Sequence, residues 1–436
     1  MSPVRRVSQL FLKHRYGATL FAFLAAAVVT GVACVLFMWG FDKVLERRLD
    51  FDSFGPWVWV ITPAAFLLSV ELIRRAAPYA AGTGIPQAIF AAQHLTPHND
   101  RPLRPLVSMT TMAVKVVALL IAVWVGASTG REGPSVHIAT CVFLGMILLF
   151  RRLFGATVDL RSATVAGAAA GLAAAFNTPL AGVTFAIEEL TPDLFAGIKD
   201  FVLIAIIVAA IAAKYMTGEY AYFGHLSEPP AIPFLAIVTV GVVCGMAGAG
   251  FSTLILEGQK FLGRFHAHRV GRYLVPVVLS LGVLGIAAVY GVSALGPGNQ
   301  TAKDLLNGHI SPDVFYYPLA KVSSTLLTYW SGVAGGIFAP CLSIGAALGA
   351  DVAQVFGVAA ASAALVGMAA FLSGTIQAPM TAFVIIFEMT NDHQMLLPVM
   401  LASLLAFMTA HLMGAKHLYK SLSENYRPLL EKTAAS

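Results

Sequence analysis

The sequence predicts an all-α, polytopic membrane protein whose helices are tilted and broken and whose two halves repeat. Three observations carry that prediction. Of 436 residues, 58% are hydrophobic and only 11% charged, a balance that excludes a soluble enzyme before any motif is read. Apolar stretches of spanning length recur at residues 18–40, 55–73, 106–127, 200–213, 231–256, 274–293 and through most of 352–413. Between them, residues 87–94, 134–150 and 177–187 read as too short or too interrupted to cross, which is the mark of helices broken around a binding site.

In chain order, Arg5, Arg6, Lys13 and Arg15 precede the first span, and Lys416, Lys420 and Arg427 follow the last. The positive-inside rule explains the net charge of +6 through these ends and the loops, with no nucleic acid partner, and places both termini in the cytoplasm. The first span is too long for a signal-peptide core and is read as retained. Cys34, Cys141, Cys244 and Cys341 lie far apart in apolar runs, so neither a disulfide framework nor a metal site is implied. The eleven histidines show no paired metal spacing and no Walker A sequence occurs, so no cofactor is expected and the chain does not drive transport by its own ATP hydrolysis.

The repeat is visible by superposition. "VAGAAAGLAAAFNTPLAGVTFAIEEL" matches "LVGMAAFLSGTIQAPMTAFVIIFEMT" at an offset of 200, setting Asn177 on Gln377, Pro179 on Pro379 and Glu188 on Glu388. At an offset of 206, Gly130-Arg131-Glu132-Gly133-Pro134 falls on Gly336-Ile337-Phe338-Ala339-Pro340. The halves are expected to be residues 1–228 and 229–436, meeting near Pro229 in "HLSEPPAIP". Glu132 faces Phe338 in this comparison and Glu189 faces Met389, so two carboxylates are particular to the first half, whereas the shared Glu188 reads as structural.

Four segments share one form: "GTGIPQAIF", "GREGPSVHI", "FNTPLAGV" and "GGIFAPCLS". Proline favours the first helical position and glycine leaves backbone N–H groups uncovered, so each is expected to start a helix. A helix start offers up to four unpaired N–H donors and about half a positive charge. Several together would bind an anion and still release it, as conduction requires. Taken singly, each is an ordinary proline-initiated helix; four of them, two related by the repeat, point to a site.

"GTGIP", "GREGP" and "GGIFAP", in this order and with a late tyrosine in "GAKHLYKSL", resemble the CLC family of chloride channels and chloride/proton exchangers. The resemblance runs from about residue 18 to residue 425, and "AAFNTPLAGVTFAIEEL" and "FEMTNDHQMLLPV" extend it. It implies the CLC-type fold and a homodimer with one pore per subunit; with no organelle-sorting signal or appended domain in the sequence, a cell inner membrane is the expected location. By the same resemblance, chloride would be bound by Thr83, Gly84, the backbone around Arg131 and Gly133, the amides of Ile337, Phe338 and Ala339, and the phenol of Tyr419. Glu132 matches the gating glutamate, which occupies an anion's place when ionised and swings away when protonated. Read from its own segment alone, Glu132 is also readable as a surface-loop acid paired with Arg131, a reading that becomes minor once the other motifs are counted.

Glu189 matches the internal proton-transfer glutamate of the exchanger branch. It lies ten residues after Pro179, about 15 Å along a helix that Thr191-Pro192 should end. The dipole of a helix C-terminus disfavours an ionised carboxylate, which suits a transient proton acceptor. Lys115, within "TMAVKVVALLIAV", either adds positive potential to the anion route or snorkels to an interface. His137 is assigned to packing. Thr83 stands where the family usually has serine, keeping the hydroxyl and adding a methyl, and Gln87 replaces a frequent glutamate. The cytoplasmic CBS-type domains of larger relatives are expected to be absent. The resulting expectation is not an enzyme but a secondary active chloride/proton antiporter, with a passive chloride channel on the same scaffold as the alternative. A non-transporting scaffold and a fluoride exporter fit the motifs less well.

Overall fold

The computed structural model describes residues 3–49, 51–96, 100–155, 158–190, 195–218, 222–223, 231–266, 268–309, 315–390 and 392–434. Pro229 and the Thr191-Pro192 helix stop lie outside them, as do the side chains of Arg5, Arg6, Lys13 and Arg15. The described residues are almost wholly helical, with two isolated backbone bridges.

The first half contributes α1 (Pro3–Glu46), α2 (Val58–Ala76), α3 (Ile85–His94), α4 (Met109–Trp124), α5 (Glu132–Phe154), α6 (Leu160–Phe176), α7 (Pro179–Phe185) and α8 (Phe195–Thr217). The second contributes α9 (Phe234–His266), α10 (Gly271–Tyr290), α11 (Asn299–Leu306), α12 (Tyr317–Trp330), α13 (Phe338–Phe356), α14 (Ala360–Ile376), α15 (Pro379–Thr390), α16 (Leu396–Leu412) and a short α17 (Leu418–Ser423). Among the described residues, eight helices are long and apolar enough to cross a membrane. One is α5, at 23 residues, which corrects the expectation that residues 134–150 are too short: the helix begins on Glu132 and runs on through the polar Arg151-Arg152 pair. The apolar expanse 352–413 is divided instead among the end of α13 and the shorter α14, α15 and α16.

The repeat is present in the backbone itself. Asn177 and Gln377 both adopt the left-handed conformation, at φ 57° and 63°, and so end α6 and α14 alike. Gly155 and Gly357 do the same for α5 and α13. Small residues explain why α6 and α14 sit in the centre rather than at the lipid. A Cβ on Gly171 would meet the Ser135 carbonyl of α5 at 3.1 Å, and one on Gly367 would lie 3.0 Å from the Gly349 backbone of α13. Lipid tails are as apolar as leucine, so close backbone contact of this kind is what holds helices together in a membrane.

Glu188 and Glu388 show the repeat acting across the halves. The Glu188 carboxylate accepts from the backbone N–H groups of Met380 and Thr381, at 2.9 and 2.6 Å, and from the Thr381 hydroxyl at 2.7 Å. Glu388 returns the arrangement, accepting from Leu180 and Ala181 at 3.0 and 2.7 Å. Each acid thus caps the helix start of the other half, with the charge favoured by a helix N-terminus. Glu388→Ala should therefore lower stability by about 1–2 kcal/mol, with partial recovery in Glu388→Gln, read as the thermal midpoint of the detergent-solubilised protein.

Candidate functional site

The site is organised around a pair of glycines. Gly130 donates to the Gly336 carbonyl at 2.7 Å and Gly336 donates to the Gly130 carbonyl at 2.9 Å, so the loops before α5 and α13 are tied back to back. A second bridge joins the loop before α3 to the same region: Gly82 donates to Val333 and Gly335 donates to Gly82, both at 3.2 Å. A Cβ on Gly133 would stand 3.1 Å from the Thr83 carbonyl and Cβ. The starts of α3, α5 and α13 therefore meet within a few ångströms of one another.

The fourth proline segment does not join them. The start of α7 at Pro179 is occupied by Glu388, so "FNTPLAGV" belongs to the cross-half cap and not to the anion site. The sequence pattern identifies a helix start with uncovered donors but not what those donors face.

The side chains at the three converging starts are buried. Thr83 accepts from the Ile85 N–H at 3.3 Å, which leaves its own O–H free to donate. Ile337, Phe338 and Ala339 begin α13 with N–H groups that have no partner within the helix. Glu132 is 1% exposed, which excludes the surface-loop reading. Its carboxylate faces the N–H groups of its own residue and of Ala339. A side chain on Gly130 would occupy the same space, and its Cβ would lie 2.9 Å from that of Ala339. A carboxyl group thus already lies among the helix starts, and it is part of the chain.

Arg131 turns away from Glu132. Its guanidinium pairs with Asp42 of α1 and lies 5.9 Å from the Phe41 ring centre and 5.6 Å from that of Tyr222. The Tyr222 hydroxyl donates to Glu132 Oε1 at 3.1 Å, and Asn299 Nδ2, at the start of α11, donates to that hydroxyl at 2.6 Å. A cavity of about 860 Å³ opens here, lined by Asp42, Arg131, Tyr222 and Asn299 among others. A second cavity, of about 200 Å³, has Thr83, Gln87, Tyr329 and Tyr426 in its wall.

Tyr419 is buried, and its hydroxyl has no hydrogen-bond partner among the described residues. It lies within electrostatic reach of both Glu132 and Glu189. Glu189 is 8% exposed and sits on a π-helical turn, Ala186–Leu190, that continues α7; the corresponding residues of α15 stay α-helical. Glu388 reaches α7 from an α-helical turn as Glu188 reaches α15 from the π turn, so the wider turn is particular to the half that carries Glu189. No metal-binding cluster of histidine, cysteine or acid occurs among the described residues.

A family model described as voltage gated chloride channel matches residues 64–411. The chain belongs to this family. Among its relatives, the H(+)/Cl(-) exchange transporter ClcA of Yersinia pestis is 32% identical over 415 residues, covering 91% of this chain and 85% of the relative. The ClcA transporter of Citrobacter koseri is 31% identical, covering 93% and 88%. A crystal structure of a slow cyanobacterial Cl-/H+ antiporter superposes with a TM-score of 0.80 at 25% identity, over 95% of this chain and 98% of the other. A CLC-type fluoride/proton antiporter shares the fold at 18% identity and a TM-score of 0.76.

Within this voltage gated chloride channel fold, Thr83, Gly84, Glu132, Gly133, Ile337, Phe338 and Ala339 are gathered as the signature segments imply, while the Arg131 side chain serves the larger cavity. His137 packs as expected, its Nε2 2.6 Å from the Leu106 carbonyl. Lys115 does not snorkel. It is buried and donates to the Gly82 carbonyl at 2.7 Å and, more weakly, to Ala81 at 3.5 Å. Lys321, which the sequence reading overlooked, stands 206 residues later and donates to Ala294, Leu295 and Gly296. That offset is the one relating the signature loops, and it was the available signal. Tyr222 and Asn299 were missed for a different reason: neither lies in a repeated motif. Lys115→Met should remove one of two donors from the Gly82 carbonyl, which keeps the Gly335 N–H, and from the Ala81 carbonyl, which keeps Gln87 Nε2. The loss of a charge-assisted hydrogen bond should loosen the loop before Thr83 at a cost of about 1 kcal/mol, visible as a lower thermal midpoint and weaker chloride binding by calorimetry.

Proposed function

We propose that the protein is a secondary active antiporter that exchanges chloride for protons. The observation that carries this reading is the buried Glu132 carboxylate lodged among the helix starts, where a partly dehydrated halide would find the same donors. Ionised, the carboxylate competes with chloride for the N–H groups of α5 and α13; protonated, it loses its attraction for them and yields the place. One group thereby couples anion entry to proton binding.

Chloride reaching the centre would be held by the Thr83 hydroxyl, the Tyr419 phenol and the amides of Ile337 and Phe338, all donors and none a full positive charge, so that the ion is released as readily as it binds. Gly84 and Gly133 contribute by leaving room for backbone to approach the anion. Glu189 is the second proton station. It is buried, lies near Tyr419 on the side away from Arg131, and has no acidic counterpart at Met389.

The two cavities are then the two mouths of the route. From Asp42 beside the larger one, α1 runs back about 38 Å to Gly17 on the opposite face. The smaller cavity includes Tyr426 near the C-terminal end, so cytoplasmic termini would make it the cytoplasmic mouth and fit an inner-membrane location. A homodimer with one pore in each subunit, and halves meeting near Pro229, complete the reading. The dimer fits the exposed Leu180, Met380, Leu397 and Leu404 on α7, α15 and α16, helices mostly too short to face lipid alone.

The test uses purified protein in liposomes with a chloride gradient and voltage clamped near zero by potassium and valinomycin. Uphill proton movement driven by chloride, lost in Glu189→Gln while chloride flux persists, is the expected result. Chloride flux without proton movement would make the protein a channel. In Glu132→Gln, a neutral side chain replaces the titrating one, and chloride flux should become independent of pH between about 4 and 8 in the same liposomes.

A further inference from the structure

We propose that Tyr222 is an outer latch on the gate: its hydroxyl, oriented by Asn299, holds the ionised Glu132 carboxylate in the closed position and thereby sets the pH at which the route opens. The inference rests on the reading of Glu132 as a gate and adds a residue that none of the signature segments contains.

The hydrogen bonds form a chain from Asn299 through Tyr222 to Glu132. Asn299 Nδ2 donates to the Tyr222 oxygen at 2.6 Å, so the phenol proton is left to point at Glu132 Oε1, 3.1 Å away. A carboxylate that accepts such a bond is favoured in its charged form. The ring is held as firmly as the hydroxyl. Phe176, the last residue of α6, meets it edge-on at 5.7 Å, Phe223 does so at 5.0 Å, and the Arg131 guanidinium lies 5.6 Å from its centre. Phe176 in turn packs at 5.7 Å on Phe338, whose N–H begins α13, so the latch is braced against the anion site it guards.

The position also makes Tyr222 the last group met on the way in. It lines the 860 Å³ cavity and touches Glu132 behind it, whereas Arg131 is paired with Asp42. When Glu132 is protonated and swings out, it must break this hydrogen bond, and Tyr222 must move or exchange partners to let it pass.

The charged and titratable groups around Glu132 would be unchanged by removing the phenol oxygen. Arg131 stays paired with Asp42, Lys115 and His137 remain engaged by backbone carbonyls, and Tyr419 keeps its electrostatic contact with Glu132 and Glu189. Glu46, Arg48, Lys303 and Asp304 line the cavity beyond Tyr222. A change in pH dependence on Tyr222→Phe therefore reports the lost hydrogen bond.

The experiment is chloride flux from liposomes as a function of external pH for the full chain, Tyr222→Phe, Asn299→Ala, Glu132→Gln, and Tyr222→Phe combined with Glu132→Gln. Removing a donor to the carboxylate favours protonation, so the midpoint for opening in Tyr222→Phe should move to higher pH by about one unit. Asn299→Ala, which frees the hydroxyl without deleting it, should move it the same way by less. In the Glu132→Gln background the tyrosine substitution should leave the profile flat. A midpoint in Tyr222→Phe that stays in place or falls, in protein that elutes and exchanges like the parent, overturns the latch. A Glu132→Gln protein that keeps the parent's pH profile overturns instead the reading of Glu132 as the gate, so the two failures are distinct.

Discussion

The two hydrogen bonds between Gly130 and Gly336 are the constraint on which the rest of the structure depends. They join the halves by backbone alone, where the starts of α5 and α13 come close. Side chains there would push α5 and α13 apart and would displace the Glu132 carboxylate. With the bridge in place, the N–H groups of both helices face a common volume, and the partial charge of each adds to that of the other. In the proposed reading, an anion would be held here without a dedicated cation, and a carboxylate suits the same place.

Around the bridge the two halves keep one architecture and use it differently. Lys115 and Lys321 do the same work, each neutralising the carbonyl ends of a loop that precedes a short helix, α3 or α11. Those two helices then line different cavities. The start of α3 presents Thr83 to the smaller cavity, while the start of α11 presents Asn299 to the larger. The acids diverge as well: Glu188 and Glu388 remain equivalent caps, but only the first half adds Glu189, and it does so on a turn that departs from α-helix.

Much of this was legible in the sequence because small residues, prolines and charges in an apolar chain have few roles open to them. The three signature segments, the pairing of Asn177 with Gln377 and the equivalence of Glu188 and Glu388 follow from that scarcity, whereas the burial of Glu132 does not, because a surface-loop acid paired with Arg131 fits the same residues. Where the sequence reading went astray, the missing information was three-dimensional. "FNTPL" looks like the other helix starts, and only the arrival of Glu388 from 200 residues away shows that its donors are already engaged. The length of α5 was underestimated because Arg151 and Arg152 look like an end, yet the helix continues past them. Tyr222 carries no signal at all in its neighbours; its role comes from where the chain returns after α8.

The exchange of caps between Glu188 and Glu388 has a consequence for biogenesis. When the first half leaves the ribosome, Glu188 has no partner, and the N–H groups it will bind lie 192 residues further along the chain. At roughly 5–20 residues per second, that segment takes about 10–40 s to be made. Through that interval the first half carries an unmatched carboxylate and an uncapped α7 in or near the bilayer, so it cannot complete its fold before the second half is inserted. Neither half is then expected to persist as a unit alone, and the duplicated architecture is kept together by the need of each copy for the other's acid.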